Sequence, residues 1–473
     1  MCTSQWGLGL SFAGDEDLFK EMEAEIKVEK TVVKPKKKPK PSFFRKWIKN
    51  SENKFSVRSM HHYKKPTDRE GLDRRNHYAE TKLQFKSNAK FRDTTFYGFV
   101  WGEYGNQKDT YQGGTLFMAD RKRYRHFWEL SEAYAVHGLE SVDFTAGKKV
   151  FKMGTSTVLY SPSDRITPKD LNDPIYPREL GLWLSSLDYY VDASTFTLAL
   201  FPYFIPSKSS ASSSRWSGTG DSDSSGDNQF RDVNSVVGKL NVQEEFPGFA
   251  FKNFQGVLRF KTTVLGWDFF VASFHGFNAL PVLKKYEERD PILGIVTKTT
   301  YTKQYVPVGN HSFGFSTTFG KFEFHGEGLY QYAYAGKDDH YFDYDGGITY
   351  TIDDWAKAFF LDQIDWTVDY AGEETTRYQD YPNYAQSSKD ARAAKNNLIS
   401  RVVLKYDEDL RFFYAQNLDF DEGGKMFAGG LEYKLTAGLI LKLHTEFFKG
   451  TSRSYYGQWR ENSRFVSNLE YSF

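Results

Sequence analysis

Cysteine is nearly absent from this chain, since Cys2 is the only one among 473 residues. The body of the protein therefore has no disulfide bond, no thiolate metal site and no cysteine nucleophile. Long apolar runs are also missing: no stretch approaches the roughly 20 apolar residues that a membrane-spanning helix needs, and the mean hydropathy is −0.60. These two absences exclude cysteine chemistry and a helical membrane protein.

Recognised catalytic motifs are missing as well. The sequence contains no G-x-S-x-G, H-E-x-x-H or Walker A pattern. His275, His311, His325 and His444 are scattered along the chain, and isolated histidines of this kind usually serve as hydrogen-bonding wall residues. We therefore predict a protein that is not an enzyme and has no catalytic residue and no cofactor.

What the chain has in excess is aromatic residues, which make up 18% of it, with 42 Phe and 31 Tyr. From about Asn76 onward, apolar and polar residues alternate in segments of about ten residues, the length that a tilted strand needs to cross a bilayer. Phe196, Leu198 and Leu200, for example, alternate with threonines. Successive side chains of a strand point to opposite faces. The pattern predicts a wall with one apolar and one polar face.

Turn signals separate these segments, and no helical pattern intervenes. Leu265-Gly266, Gly423-Gly424 and Ala437-Gly438 each lie between two alternating runs, as hairpin turns do. We predict an all-β fold, a transmembrane antiparallel β-barrel that occupies residues 76–473. Dividing roughly 400 residues by 22 to 28 per strand and loop gives about 16 strands, with a range of 14 to 18.

The final segment, residues 463–473, carries the clearest alternation. Phe465, Leu469, Tyr471 and Phe473 share one parity, and polar residues take the other. This segment resembles the C-terminal strand of bacterial outer-membrane β-barrels. The resemblance implies that Leu469, Tyr471 and Phe473 form the signal read by the barrel assembly machinery. A buried strand of a soluble β-sandwich is the alternative interpretation.

The N-terminal part differs in composition from the rest. Residues 1–13 end in Ser11-Phe-Ala13 after a short apolar run, which predicts the remnant of a signal peptide; a disordered N-terminus is the alternative. Residues 14–75 are rich in Lys and Pro and carry a net charge of +7, against −6 for the remainder. We predict a disordered or helical periplasmic extension whose residues 34–49 either remain solvated or contact a periplasmic partner, the cell wall or anionic lipid. Nucleic acid is not an expected partner.

Two long insertions interrupt the alternation. Residues 207–232 are dominated by Ser, Gly and Asp and predict a mobile external loop. Within it, Asp221, Asp223, Ser225 and Asp232 are similar to a calcium-binding loop, but flanking helices are missing. A flexible loop is the favoured interpretation, and no metal site is predicted.

The second insertion, residues 153–180, is stiffened by four prolines among alternating charges. We predict that it folds into the lumen and narrows it, with an ordinary ordered external loop as the alternative. Three arginines upstream share one parity and would form a basic ladder on the lumen wall, unless they belong to a solvated hairpin. The predicted lumen and constriction residues are Asp164, Arg165, Lys169, Asp170, Arg121, Arg123 and Arg125.

Several short motifs around this insertion follow one another in a characteristic order: Glu132-Ala-Tyr134, Ala146-Gly-Lys148, Met153-Gly154, the Pro-x-Asp loop of residues 161–170, and residues 188–190 and 201–206. In this they resemble a group of proteobacterial porin-like outer-membrane barrels. The resemblance implies an outer-membrane channel with an inward-folded loop, in contact with outer-membrane lipid and lipopolysaccharide. We predict passive diffusion of small solutes, with two alternatives: a conduit for export or electron transfer that holds a partner or polymer, and an outer-membrane enzyme.

Overall fold

The protein is described here from a computed structural model that covers residues 43–66, 72–107, 111, 113–115, 120–121, 125–154, 159–210, 213–217, 243–451 and 454–473. Its main feature is a closed ring of 18 antiparallel strands. Each strand pairs with its neighbours in sequence order, and the last pairs with the first through the register Phe55 with Tyr471 and Val57 with Leu469. Because the ring is closed, each strand of the wall pairs with a neighbour along both of its edges. A lipid environment requires this, since it offers no hydrogen-bond partner to an unpaired edge.

The barrel strands are β1 Glu52–His62, β2 His77–Phe91, β3 Thr94–Gly105, β4 Trp128–Leu139, β5 Val142–Lys149, β6 Leu182–Val191, β7 Ser194–Phe201, β8 Gln255–Val264, β9 Trp267–Phe277, β10 Pro307–Phe319, β11 Phe322–Ala333, β12 His340–Ile352, β13 Gln363–Arg377, β14 Asn396–Lys405, β15 Leu410–Asp419, β16 Lys425–Thr436, β17 Leu439–Lys449 and β18 Arg464–Ser472. The one described α-helix, α1, spans Phe43–Lys49.

Shorter elements lie in the connections. The short strands are Gly114–Thr115, Lys169–Leu171, Arg178–Glu179, Lys208–Ser209, Gln243–Glu245, Val282–Arg289, Val296–Gln304 and Tyr384–Gln386. The 3-10 helices are Pro162–Ile166, Arg215–Ser217, Phe251–Asn253, Tyr334–Gly336, Ala356–Phe359, Ser388–Ala391 and Gly457–Asn462.

The observed 18 strands lie within the predicted range of 14 to 18 and above its central value of 16. One reason is that the barrel begins earlier than expected. Strand β1 starts at Glu52, inside the segment predicted as a periplasmic extension, and pairs with both β2 and β18. This strand was not predicted because its lumen-facing Lys54 and Arg58 give it the same basic composition as the extension.

Helix α1 lies against the outer wall of the barrel. The Trp47 ring covers Gly98, where a Cβ would come within 2.9 Å of it. Phe43 packs edge-on against Phe96 with ring centroids 5.7 Å apart, and the Ser87 hydroxyl donates to the Trp47 carbonyl. Residues 43–49 therefore cover part of the β2–β3 surface. The remainder of the predicted extension up to residue 42, including the signal-peptide remnant, lies outside the described residues.

The predicted two-faced wall is present. On β7, Phe196, Leu198 and Leu200 are exposed on the outer face, whereas Thr197 and Ala199 are buried on the inner one. Leu469 and Tyr471 of β18, and Phe473 directly after it, lie on the outer face, which excludes the buried strand of a sandwich. Their recognition by the assembly machinery stays a prediction. A wall with an apolar exterior and a polar interior is the pattern of a transmembrane barrel. Among the described residues, no helix is long and apolar enough to span a membrane.

The two ends of the barrel differ in their connections. At one end the turns are short, as at Leu265-Gly266, where both residues have positive φ values of 53° and 80°. At the other end the connections are long, and described residues of two of them, between β5 and β6 and between β7 and β8, lie inside the barrel. This asymmetry matches the short periplasmic turns and long outer loops of outer-membrane barrels.

Candidate functional site: the lumen and its inward segment

The connection between β5 and β6, residues 150–181, is the inward segment. Its described part folds as the 3-10 helix Pro162–Ile166 and two short strands, of which Lys169–Leu171 pairs with Arg178–Glu179 and with Lys208–Ser209. Its polar side chains bond to strand residues on the buried, inner parity of the wall. Because those strand residues face the lumen, the inward segment lies inside the barrel.

Arg165 joins this segment to strands β12 and β13. Its guanidinium lies 2.6 Å from Asp343 and 3.5 Å from Glu373 and stacks over the ring of Tyr341. Burial disfavours the charge and is the largest single effect, but Asp343, Tyr160, Tyr341 and Glu373 together outweigh it, so the pKa of Arg165 is raised well above its ordinary value. Arg165 is therefore a permanent cation bound to an acidic surface.

Asp170 joins the segment to the other side of the lumen. Its carboxylate accepts hydrogen bonds from Arg125 at 2.8 Å and from Arg178 at 2.9 Å, and both arginines also reach Glu103 on β3. Burial alone would raise the pKa of Asp170, but Arg125 and Arg178 hold it well below the ordinary range. The four side chains form an alternating network of charges in which each ion has a partner.

A third attachment involves the final strand. Asp173 accepts hydrogen bonds from Arg464 at 2.9 and 3.3 Å, and Arg464 also donates to Glu446 at 2.7 Å. The Tyr176 hydroxyl donates to the same Glu446 carboxylate. The inward segment is thus tied to β17 and β18 as well as to β3, β12 and β13, which places it across the lumen.

The two remaining predicted residues of the segment are also buried. The Asp164 carboxylate accepts the backbone N–H groups of Met153 at 2.8 Å and Gly154 at 3.1 Å, so it fixes the start of the segment. Burial lowers the pKa of the Lys169 ammonium to about 8, an effect that Glu179 partly opposes. Asp164, Arg165, Lys169 and Asp170 are therefore all brought into the lumen.

The predicted basic ladder is wrong for Arg121 and Arg125. These two described residues precede β4 and are not part of a barrel strand, so a strand parity does not apply to them. Arg125 joins the Asp170 network, whereas Arg121 donates to the Pro247 carbonyl at 2.6 Å and stacks over Phe246. Arg123 lies outside the described residues.

The prediction of a mobile external loop for residues 207–232 is wrong for the described residues 207–210 and 213–217. Lys208 is buried and bonds to Asp120 at 2.7 Å. Arg215 donates to the carbonyls of Arg75 and Lys64, and Trp216 packs against Trp459 with ring centroids 5.6 Å apart. Sequence reasoning missed the burial of Lys208, Arg215 and Trp216, because the stretch around them is rich in Ser and Gly. Asp221, Asp223, Ser225 and Asp232 of the calcium-like motif lie outside the described residues.

Two wall surfaces that sequence reasoning missed face each other across part of the lumen. The acid wall comes from β11 to β13, and the basic wall runs from β14 through β18 to β2. In a ring of 18 strands, β2 and β12 are nearly opposite. The acid wall consists of Glu327, Asp343, Asp345, Asp369 and Glu373. The basic wall consists of Lys405, Arg411, Lys434, Lys442, Lys54, Arg58, Lys82 and Lys86.

Ion pairs neutralise the basic wall only in part. Glu470 pairs with Lys54 at 2.7 Å and Lys442 at 3.2 Å, and Glu80 pairs with Arg58 at 2.5 Å. Glu432 pairs with Arg411, Asp365 with Lys405 at 3.2 Å and Asp409 with Lys434 at 3.7 Å. The eight cations of the basic wall outnumber these five carboxylates, and the five carboxylates of the acid wall outnumber Arg165 and Arg392, which pair with Asp343 and Glu373. Charges of opposite sign on two sides of a lumen produce a transverse field, which acts on any solute that passes.

No family model matches the chain, and no curated protein matches it. Among solved structures, a BenF-like porin from Pseudomonas fluorescens Pf-5 has a TM-score of 0.48 at 9% identity, covering 89% of this chain and 98% of the porin. Pseudomonas aeruginosa OccK11 has a TM-score of 0.48 at 10% identity, covering 89% of this chain and 96% of its own. Pseudomonas aeruginosa OpdQ has a TM-score of 0.45 at 11% identity, covering 90% and 98%. The closed 18-strand wall, its apolar exterior and its polar, charged lumen are those of a transmembrane β-barrel.

Proposed function

We propose that the protein is an outer-membrane channel through which small hydrophilic solutes diffuse passively. The observation that carries the proposal is the inward segment, residues 150–181, held across a charged lumen by Arg165, Asp170 and Asp173. A fixed segment inside a closed wall narrows the passage, and the radius and charge of the narrowed region then select solutes. No chemical step is required.

The exterior of the barrel supports the same location. Exposed Phe, Leu, Tyr and Trp side chains alternate with lumen residues along the strands, so the outer face is compatible with hydrocarbon. Outer-membrane lipid and lipopolysaccharide are the expected neighbours of this face. A periplasmic partner or the cell wall remains a proposal for residues 34–49, of which only the part in α1 is described.

Single-channel recording in planar bilayers tests the proposal. The refolded protein should give stable, ohmic conductance steps, and proteoliposomes that contain it should swell in small neutral sugars and stop swelling above a size limit. Protein that is folded and inserted but gives neither steps nor swelling would refute the diffusion channel. Such a result would direct attention to a lumen filled by a partner or polymer.

The two charged walls make a prediction about ion selectivity. Lys86 is an exposed cation of the basic wall on β2. Replacing it (Lys86→Glu) changes the local charge by two units, so we expect the anion-to-cation permeability ratio to fall by roughly twofold. The reversal potential in a potassium chloride gradient measures this ratio.

The control for this measurement is Lys357→Glu. Lys357 lies in the exposed turn between β12 and β13, away from the lumen surface, and carries the same charge. The Lys357→Glu variant should leave the reversal potential unchanged. An equal shift in both variants would mean that the charges act at the surface of the molecule and that the basic wall does not line the passage.

A further inference from the structure

The acid wall contains a compact group of three potential metal ligands that the proposed channel function does not require. His325 on β11, Asp345 on β12 and Asp369 on β13 each offer one ligand atom, and these atoms lie within 4.8 Å of one another. All three side chains are almost completely buried, with exposures of 2%, 3% and 0%. Sequence reasoning predicted no metal site, because the three ligands are far apart along the chain.

The strand register explains how they meet. His325 is opposite Gly347, and Gly347 is opposite Asp369, so one row across three strands places a histidine and an aspartate on either side of a glycine. A Cβ at Gly347 would come within 2.1 Å of the Asp369 carboxylate. Asp345 lies two residues along the same strand and on the same face. Because Gly347 has no side chain, the side chains of His325, Asp345 and Asp369 can approach one another at this point.

Asp345 is the residue that points to a ligand. Neither of its carboxylate oxygens has a hydrogen-bond partner among the described residues, and the same is true of the Nδ1 atom of His325. Glu327 lies opposite Asp345 in the register, which adds a second carboxylate close by. A buried, unpartnered carboxylate next to other carboxylates is very unfavourable unless a cation or a proton compensates it.

Two hydrogen bonds orient the third ligand. Asp369 lies 3.0 Å from Nε2 of His325 through one oxygen and accepts the backbone N–H of Leu159 at 2.6 Å through the other. Oriented carboxylate and imidazole groups of this kind are typical of the surroundings of bound metals. The second bond comes from the inward segment, so the group lies where that segment meets the wall.

We propose that His325, Asp345 and Asp369 bind a divalent transition-metal ion such as Zn²⁺. One imidazole nitrogen and two carboxylate oxygens suit Zn²⁺, Mn²⁺ or Fe²⁺, whereas Ca²⁺ and Mg²⁺ prefer all-oxygen sites. The ion would neutralise Asp345 and strengthen the junction between the inward segment and β11 to β13. This site is independent of whether solutes diffuse through the barrel.

Metal uptake by the full chain is the direct test. Protein that has been stripped with a chelator and refolded in detergent is dialysed against Zn²⁺, and bound zinc is measured by elemental mass spectrometry. We expect about one tightly held ion per chain, a rise in the thermal unfolding temperature on loading, and d–d absorption bands when Co²⁺ replaces Zn²⁺. Folded wild-type protein that retains no zinc would overturn the proposal.

Asp345→Asn keeps the shape of the ligand and removes its charge. We expect it to weaken zinc binding by more than about tenfold and to abolish the thermal shift. The unloaded variant should still fold, because the substitution removes an unpartnered buried carboxylate. His444→Gln is the matched control: His444 is also buried beside a carboxylate, with Nε2 3.1 Å from Glu446, but it lies outside the group. Equal zinc binding by wild type and Asp345→Asn would show that the ion binds elsewhere and would refute the site.

Discussion

Replacing residues 153–180 by a short glycine-rich turn should raise the single-channel conductance of this barrel by roughly twofold or more. The strands that flank the segment can be joined directly, because Lys149 of β5 and Leu182 of β6 are partners in the register. Removing the segment leaves the wall intact and opens the lumen to water. The charges that it contacted, among them Asp343 and Glu446, would then be hydrated. The size limit in liposome swelling should rise together with the conductance.

A matched deletion separates the inward segment from loops in general. The connection between β9 and β10 forms a hairpin of Val282–Arg289 and Val296–Gln304, whose tip at Ile292 is 89% exposed. Shortening this tip should leave the conductance unchanged. If the deletion of 153–180 yields folded, inserted protein with wild-type conductance, the segment is not the narrowest part of the passage.

Arg464→Met should reduce the free energy of unfolding by about 3–5 kcal/mol, because it leaves two buried carboxylates without their shared cation. Arg464 is completely buried, bonds to Asp173 and Glu446, and stacks over Trp216 at 4.8 Å. The side chain therefore joins the final strand, the inward segment and residues 213–217. Urea-induced unfolding of the refolded barrel in detergent measures the loss.

Lys54→Met provides the comparison within the same barrel. Lys54 pairs with Glu470 at 2.7 Å, but its side chain is 26% exposed, so solvent screens the pair. Removing such a cation costs less than about 1 kcal/mol. A similar loss in both variants would contradict the role of Arg464, since it would mean that burial does not distinguish the two ion pairs.

The wall was predictable because each strand obeys one local rule. In β7 the outward Phe196 and Leu198 and the inward Thr197 follow from parity alone, and the same rule applied to β18 placed Leu469 and Tyr471 outside. The start of the barrel was not predictable in this way. In β1 the lumen-facing Lys54 and Arg58 belong to a generally basic stretch, so charge density concealed the alternation.

The interior depends on contacts that no local rule provides. Prolines and mixed charges indicated an inward segment, but Ser161 finds its partner Glu327 at a separation of 166 residues. The acid wall arises only when β11, β12 and β13 come into register. Trp216 lies in a Ser-rich stretch that reads as flexible, yet its ring is buried against Trp459 because the barrel supplies the pocket. Such residues could be found only from the tertiary structure.

The junction between β1 and β18 has a consequence for how the protein reaches its folded state. His62 bonds to the carbonyl of Asn462, 400 positions further along the chain, and Arg464 contacts Met60 over a similar separation. Pairing over such distances is slow, because the entropy of closing a long loop is lost before the contact forms. Until β1 and β18 pair with each other, each of them has an unpaired edge that could bind strands of other molecules. The newly made chain therefore passes through an aggregation-prone stage whose length is set by the last contact to form, and shielding of those two edges during that interval should determine the yield of intact barrel.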